Sequence, residues 1–415
     1  METLRIAIRN IARNRRRSKL TVVTIVIGAT ILMNAQGIIR GFTTTVYGRM
    51  MAMDTAQAQV ERAEYRADAR RLPLDLLVPD SAALAGRLAA LPGVAAVAER
   101  VDFSMEITNG SEGTQVMARG IAQEEAQVTE LGSRIVAGRL FGPGEPGLVI
   151  GSGLARKLGL GVGDAAYFTA MDRHSAKNLG SEPVVGIFEF GYPLMDDMLA
   201  CVDLGRARAF LDLGPGATRI VLRGKDPRAS AALAAEVGRA LGDVGPPGGP
   251  RLAAYEWKTF AENLVSTIET RLKLMGVIIA TLFALITAGI FNTMAMNVQE
   301  RFREIGTMRA IGIRRAGLER IFVAEGFVMG LMGCAIAVLP ASAVGLWLGV
   351  FGVDISGVLP RDIPIPFGSV LKASYSVVDA LRALAAGLGA AALGSLLPAR
   401  RAARLPIADA LGAAR

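Results

Sequence analysis

The chain has 415 residues, of which 52% are hydrophobic and 20% charged, with a net charge of +9. Its apolar residues gather into a few long charge-free blocks, which marks a membrane protein rather than an ordinary globular one. Three short segments beside those blocks carry +6, +3 and +3, so the remainder is net negative by three and the basic balance reports topology, not nucleic-acid binding.

Residues 1–19 hold Arg5, Arg9, Arg13, Arg15, Arg16, Arg17 and Lys19 against Glu2 alone. This predicts an amphipathic basic helix on the inner membrane face and a cytoplasmic N-terminus. The charge-free window 20–39 predicts a first transmembrane helix over 20–42. It is too long for the core of a signal peptide, and no Ala-x-Ala site lies directly behind it, so it reads as a permanent anchor. Within it, Asn34 and Gln36 hydrogen-bond either across a helix interface or within their own turn, and the sequence leaves both open.

Residues 43–272 supply enough Val, Ile, Leu and Phe for an independent core and read as an extracytoplasmic α+β domain. A helix is predicted over 81–91, ending at Pro92-Gly93. A strand over 94–108 turns at Asn109-Gly110 into a second over 115–121. Strands at 148–150, 165–170 and 184–188 with a helix at 154–158 form a β-rich lobe inserted over about 125–215. The strand 200–202, the helix 204–211, the strand 219–222 and the helix 227–241 return to the first pattern. A Gly/Pro linker over 242–250 leads to a stalk helix over about 255–272, with Trp257, Phe260, Leu264 and Ile268 on one face.

The windows 274–299, 326–353 and 383–399 predict further membrane helices over 273–298, 319–350 and 379–399. The last is short and rich in Ala and Gly, and gains length if Arg382 snorkels to the interface. A cytoplasmic segment over 299–318 interleaves Glu300, Arg301, Arg303, Glu304 and Arg309 with Phe302, Ile305, Met308 and Ile311, the pattern of a docking helix. An extracytoplasmic loop over 351–378 and a cytoplasmic tail over 400–415 complete the chain. The fold class is therefore four transmembrane α-helices with a large bilobed α+β extracytoplasmic domain between the first and second.

Catalytic signatures are missing. Cys201 and Cys334 lie in different regions, so a disulfide between them is not expected. His174 has no Cys or second His to complete a metal site and reads as an ordinary loop residue. Gly151-Ser152-Gly153 lacks the spacing of a phosphate loop and reads as a strand-to-helix turn. No metalloprotease helix or nucleophile elbow occurs. The chain reads as a non-catalytic subunit, and energised work requires a nucleotide site on another chain.

Three motifs carry a resemblance. They are Arg9-Asn10-Ile11-Ala12-Arg13-Asn14 with Arg15-Arg16-Arg17 ahead of Leu20-Thr21, and Asn292-Thr293-Met294 through Arg303-Glu304-Ile305-Gly306 to Arg309-Ala310-Ile311-Gly312, then Ala324-Glu325-Gly326. The third is Pro398-Ala399-Arg400-Arg401-Ala402-Ala403 with Leu405-Pro406-Ile407-Ala408-Asp409-Ala410-Leu411. In these the chain resembles permeases of the MacB/LolCE/FtsX superfamily, the membrane subunits of type VII ABC transporters. Val149-Ile150-Gly151, Leu154-Ala155, Leu158-Gly159-Leu160 and Val162-Gly163-Asp164 are similar to that family's periplasmic core domain.

The resemblance implies a permease in the bacterial inner membrane, paired with itself or a sister permease and bound to two copies of a cytoplasmic ATPase. ATP and Mg would bind there, with no cofactor in this chain. It places Glu300, Arg301, Arg303, Glu304, Ile305, Gly306, Arg309 and Gly312 in an ATPase-coupling helix. With no fused nucleotide-binding domain and a large outer domain, the layout is nearest the lipoprotein-releasing branch. In that branch one permease carries a hook for a periplasmic chaperone. The matching place is the loop 171–182, with Asp172, Arg173, His174, Lys177 and Asn178 as contacts, although its proline, Pro183, falls at its end. Met33, Phe42, Met50, Met51 and Met53 either line a flexible acyl-binding site or pack against neighbouring spans. The alternatives are MacB-like efflux through an outer-membrane duct, FtsX-like signalling to a cell-wall hydrolase, and a passive sensor without an ATPase.

Overall fold

The computed structural model describes residues 2–13, 15–244, 250–354 and 370–404. Its described residues divide into two compact units, one formed within 2–44, 267–354 and 370–404, the other within Thr45–Ser266.

Four helices are long and apolar enough to cross a membrane. The first runs Arg15–Met50 and widens into a π-helical turn, Met51–Thr55; the others are Glu262–Glu300, Arg315–Val350 and Val377–Ala403. In the membrane unit these helices pack through small residues, as expected where lipid removes the hydrophobic drive between spans. A Cβ on Gly330 would lie 2.6 Å from that of Ala391, and one on Gly387 2.7 Å from Cys334 Sγ. Val22, Ile25, Ala29, Ile290, Met294 and Met329 fill the centre. Asn34 bonds within its own helix and to the segment just before the fourth membrane helix. It accepts from Tyr375 Oη at 2.7 Å and donates to the Thr30 carbonyl at 2.9 Å. The second helix differs from its neighbours, since only 6% of its most apolar window is buried against 50% for the third. Its flank is therefore left to lipid or another subunit. The tail motif 405–411 and part of the expected 351–378 loop lie outside the described residues.

The second unit is built on ten strands: β1 (Ala58–Arg62), β2 (Val94–Thr108), β3 (Gly113–Ile121), β4 (Ile135–Gly138), β5 (Leu148–Gly151), β6 (Ala165–Met171), β7 (Lys177–Phe188), β8 (Leu199–Asp203), β9 (Arg219–Gly224) and β10 (Leu252–Glu256). Their order is β10-β1-β9-β2-β3-β8-β5-β7-β4, with β6 joining β2 to β7. The expected β2–β3 hairpin forms because Gly110 takes φ +97° while Asn109 Oδ1 accepts the Ser111 and Glu112 N–H groups, each at 2.8 Å.

The two expected lobes share one sheet. Pairings β2–β3, β3–β8, β8–β5, β5–β7, β7–β6 and β6–β2 close a six-stranded ring. Its interior is filled by Phe103, Met105, Ile107, Val116, Phe168 and Val202 among others. The remaining strands β10, β1 and β9 continue β2 as an open sheet, covered by the helices Ser81–Ala89 and Ser230–Val244 through Leu84, Leu88, Leu233 and Val237. The inserted lobe is thus closed by β2 and β3, which the sequence assigned to the first lobe. The expected stalk is also interrupted. Strand β10 and a single turn, Trp257–Phe260, precede a break at Ala261 (φ −104°, ψ 23°), so Trp257 and Phe260 do not continue the helical face of Ile268.

Candidate functional site

The predicted docking segment is a nine-residue helix, Phe302–Ala310, set off from the second membrane helix at Arg301 (φ −98°, ψ 17°). Gly312 stops it with φ +98°, a left-handed conformation that glycine adopts without strain. Ile305 is fully buried among Val298, Leu318, Phe322 and Ala399, with Met308 packed alongside. Ile311, beyond the last turn, is 78% exposed.

This splits the predicted coupling residues into two sets. Arg301, Ile305 and Gly306 are buried, whereas Glu300, Arg303, Glu304 and Gly312 are exposed and Arg309 is half-buried. Arg301 Nη1 donates to both carboxylate oxygens of Glu325 on the third membrane helix, at 2.9 and 3.1 Å, and its Nε to Glu304 Oε2 at 3.0 Å. Asn10 Nδ2 donates to Glu325 Oε1 at 2.6 Å, and Arg13 pairs with Glu304. The Arg301 guanidinium also lies 5.8 Å from the Phe322 ring centroid. An ion pair this buried adds little net stability but leaves a costly charge if one partner is removed. Its structural effect is to fix the angle at which the short helix leaves the bundle. What remains to meet a partner is a strip of Arg303, Thr307 and Ile311.

The methionine group is dispersed. Met33 is buried between Ala341 and Ala383 of the membrane unit. Met53 is 2% exposed in the second unit's core beside Phe141, Phe188 and Cys201. Phe42 and Met50 are half-buried. Met51 borders a cavity of about 430 Å³, with Gly48, Val128, Arg223 and Lys225 also at its wall.

The expected loop 171–182 is largely strand, a correction to the sequence reading. Strand β7 starts at Lys177, leaving a five-residue turn. Asp172 Oδ1 accepts from the His174 and Ala176 N–H groups at 2.8 and 2.9 Å. The Ala176 and His174 N–H groups hold its carboxyl below the ordinary carboxylate range. Asn178 Nδ2 donates to the Phe210 carbonyl at 2.8 Å and the Arg173 N–H to that of Leu211 at 3.2 Å, so the tip is tied to the helix Leu204–Phe210. Lys177 Nζ lies 3.6 Å from Glu106 and His174 Nε2 3.3 Å from Asp212.

One group of residues was not singled out by sequence. A row of ionic side chains crosses the second unit's sheet where Met51–Thr55 meets it. Arg100, fully buried, holds Glu125 through Nε at 3.0 Å and through Nη2, and also donates to the Asp54 carbonyl. Arg119 bonds Asp102 through Nε and Asp54 through Nη2, both at 2.7 Å. Burial alone would raise Asp102, but Arg119, Arg219 and Arg100 outweigh it and bring its pKa down to about 2. The Asn109-Gly110 turn was the signal for part of this row, because the hairpin register it sets pairs Asp102 with Arg119.

Comparison with known proteins gives two family matches, the MacB-like periplasmic core domain over residues 18–240 and the FtsX-like permease C-terminal region over 276–407. The chain is 25% identical to the lipoprotein-releasing system transmembrane protein LolC of Xylella fastidiosa (strain Temecula1), over 95% of this chain and 93% of that one. It is 26% identical to LolE of Haemophilus influenzae, over 78% and 79%. Among solved structures, the periplasmic region of MacB from Actinobacillus actinomycetemcomitans aligns with a TM-score of 0.38 at 13% identity, covering 51% of this chain and 94% of that one.

Proposed function

The chain belongs to the permeases that join a MacB-like extracytoplasmic core domain to an FtsX-like membrane region, and on that premise we propose that it is the membrane subunit of a lipoprotein-releasing ABC transporter. The observation that carries the reading is similarity to LolC along 95% of the chain, membrane helices and outer domain together. ATP hydrolysis on a separate cytoplasmic subunit would drive release of lipoproteins from the outer leaflet of the inner membrane.

Several features support this assignment. The strip Arg303, Thr307 and Ile311 offers two apolar or small contacts and a cation on a helix held by the Arg301–Glu325 pair, a rigid element for an ATPase groove to push against. Basic residues cluster before the first span and after the second and fourth, which supports cytoplasmic termini. The sparsely buried second helix supports pairing with a second permease, whether a copy or a sister chain. Met51 at its cavity is the member of the methionine group best placed for an acyl chain. The short, tied-down tip at 172–176 gives less support to chaperone recruitment by this chain.

The test is purification from native membranes in mild detergent with every co-purifying chain identified by mass spectrometry, followed by ATP-dependent release of a fluorescent lipoprotein from proteoliposomes. An ATPase, a permease partner and acylated lipoproteins are expected. An ATPase accompanied by an outer-membrane duct or a wall hydrolase would replace this reading with efflux or signalling, and no ATPase would overturn it.

A further inference from the structure

Among the described residues, nine buried side-chain nitrogen or oxygen atoms have no hydrogen-bond partner, and five of them meet at one place. They are both carboxylate oxygens of Glu61, the Tyr65 hydroxyl, and Asp102 Oδ2 with Arg219 Nε, which face each other as an ion pair at 3.2 Å outside hydrogen-bond geometry and leave the Glu61 carboxylate as the group with nothing opposite it. Buried polar groups are otherwise almost always satisfied, so such a concentration marks a site. Glu61 and Tyr65 are fully buried and Asp102 is 1% exposed. The Val60–Ile220 pair that joins β1 to β9 brings the next residue, Glu61, level with Arg219. Arg219 in turn pairs with Arg100 across β9 and β2.

The charged groups around Glu61 are few. From β9 comes Arg219, whose guanidinium is already engaged: Nη1 donates to Gln59 at 3.2 Å, Nε lies 3.2 Å from Asp102 Oδ2, and the group sits 5.5 and 5.8 Å from the Tyr65 and Phe260 rings. From β2 comes Asp102, of like charge. The short helix Tyr65–Asp68 supplies Tyr65 and Arg66, and Arg66 is bound to the Thr259 carbonyl and stacked on Phe260 at 4.8 Å. From β10 the residue opposite is Ala253, which is uncharged. Among the described residues no cation hydrogen-bonds Glu61, and an ionised carboxylate so placed is strongly disfavoured.

We propose that Glu61 is a proton-binding site of the extracytoplasmic domain, and that its occupancy controls how firmly the turn Met51–Thr55 is seated on the sheet. With the proton bound, Glu61 is neutral and leaves Arg219 to Asp102. When the proton leaves to solvent, the new carboxylate draws Arg219 away, and Asp102 then competes with Asp54 for Arg119. Asp54 belongs to the turn at the end of the first membrane helix, and Arg119 hydrogen-bonds its carboxylate at 2.7 Å, with Arg100 Nη1 farther off at 4.0 Å. The direction is fixed by burial, which pushes the Glu61 carboxyl above its ordinary value despite Arg219 and Arg66. The seated state is therefore fully favoured below the carboxyl's unfolded value and weakens as pH rises through the value in the fold.

The full chain in lipid nanodiscs provides the test. Infrared difference spectroscopy should show the carbonyl band of a protonated carboxylic acid that titrates at a higher pH than an exposed glutamate, and Glu61→Gln should delete it. Hydrogen exchange at residues 51–56, followed from about pH 5 to about pH 8, should speed up by as much as about tenfold per pH unit beyond the intrinsic rate, once corrected. Glu61→Gln, fixed in the neutral form, should hold the slow exchange at every pH, and Tyr65→Phe should displace the midpoint. Absence of the acid band in the wild type would overturn the proposal whatever the variants do. So would a pH dependence at residues 51–56 that survives Glu61→Gln.

Discussion

Arg301 Nη1 meets both oxygens of Glu325 across 24 residues of sequence, and the pair is all but closed to solvent. Losing one partner strands the other. Glu325→Leu or Arg301→Met alone should therefore lower stability by about 3–5 kcal/mol, while the double variant should recover most of that loss. Thermal unfolding of the four proteins in one detergent gives the cycle directly.

The exposed strip and the buried contact of the short helix should separate in experiment. Arg303→Glu combined with Ile311→Asp is expected to abolish capture of the ATPase while leaving insertion and thermal stability within about 0.5 kcal/mol of wild type. Ile305→Asp places a charge among Val298, Leu318 and Phe322 and should instead destabilise the chain itself.

Asp102 makes the outer domain acid-sensitive in a defined window. Its carboxyl is held at about 2 against an ordinary 3.8, so the stabilisation it brings, about 2 kcal/mol, is complete above the ordinary value and is lost as pH falls through about 2. Asp102→Asn should flatten stability over that interval. Stability at neutral pH should fall as well, because Arg119 and Arg219 lose a shared partner.

Cys201 should be chemically silent. It is fully buried, and burial pushes the thiol up to about 12, leaving almost no thiolate at neutral pH. A maleimide reagent should label it only after denaturation, and labelling of the folded chain would show that this core opens.

Gly387→Leu should be destabilising by about 1–3 kcal/mol, because the new side chain must enter space held by Cys334. Gly389 on the same helix has open space where a Cβ would go, so Gly389→Leu is the matched control.

The parts legible in sequence were those whose signal is local. Windows of apolar residues gave the four membrane helices, and Asn109-Gly110 gave the β2–β3 hairpin. Strand β1 was invisible because Ala58-Gln59-Val60-Glu61-Arg62 reads as a half-solvated segment, yet Gln59 and Glu61 face buried ionic groups. Strand β10 was missed, its last two residues being read as the start of a stalk, because its identity depends on pairing with β1, almost 200 residues earlier in the chain. The even spacing of Ile305, Met308 and Ile311 suggested one greasy face. Gly312 ends the helix before that face is complete, which buries the first of these residues and exposes the last. The Arg301–Glu325 pair joins the bend before the short helix to the third membrane helix, and no spacing rule links them.

Strand β2 belongs to both the ring and the open sheet, and it is laddered along its 15 residues to β3, β6 and β9. A pull along its axis loads these hydrogen bonds together in shear, whereas a pull across a hairpin end would peel them one at a time. The outer domain can therefore bear tension along that direction as a single stiff member, and its weak axis lies at right angles, where the short strand β4 sits at the edge of the sheet, paired with β7.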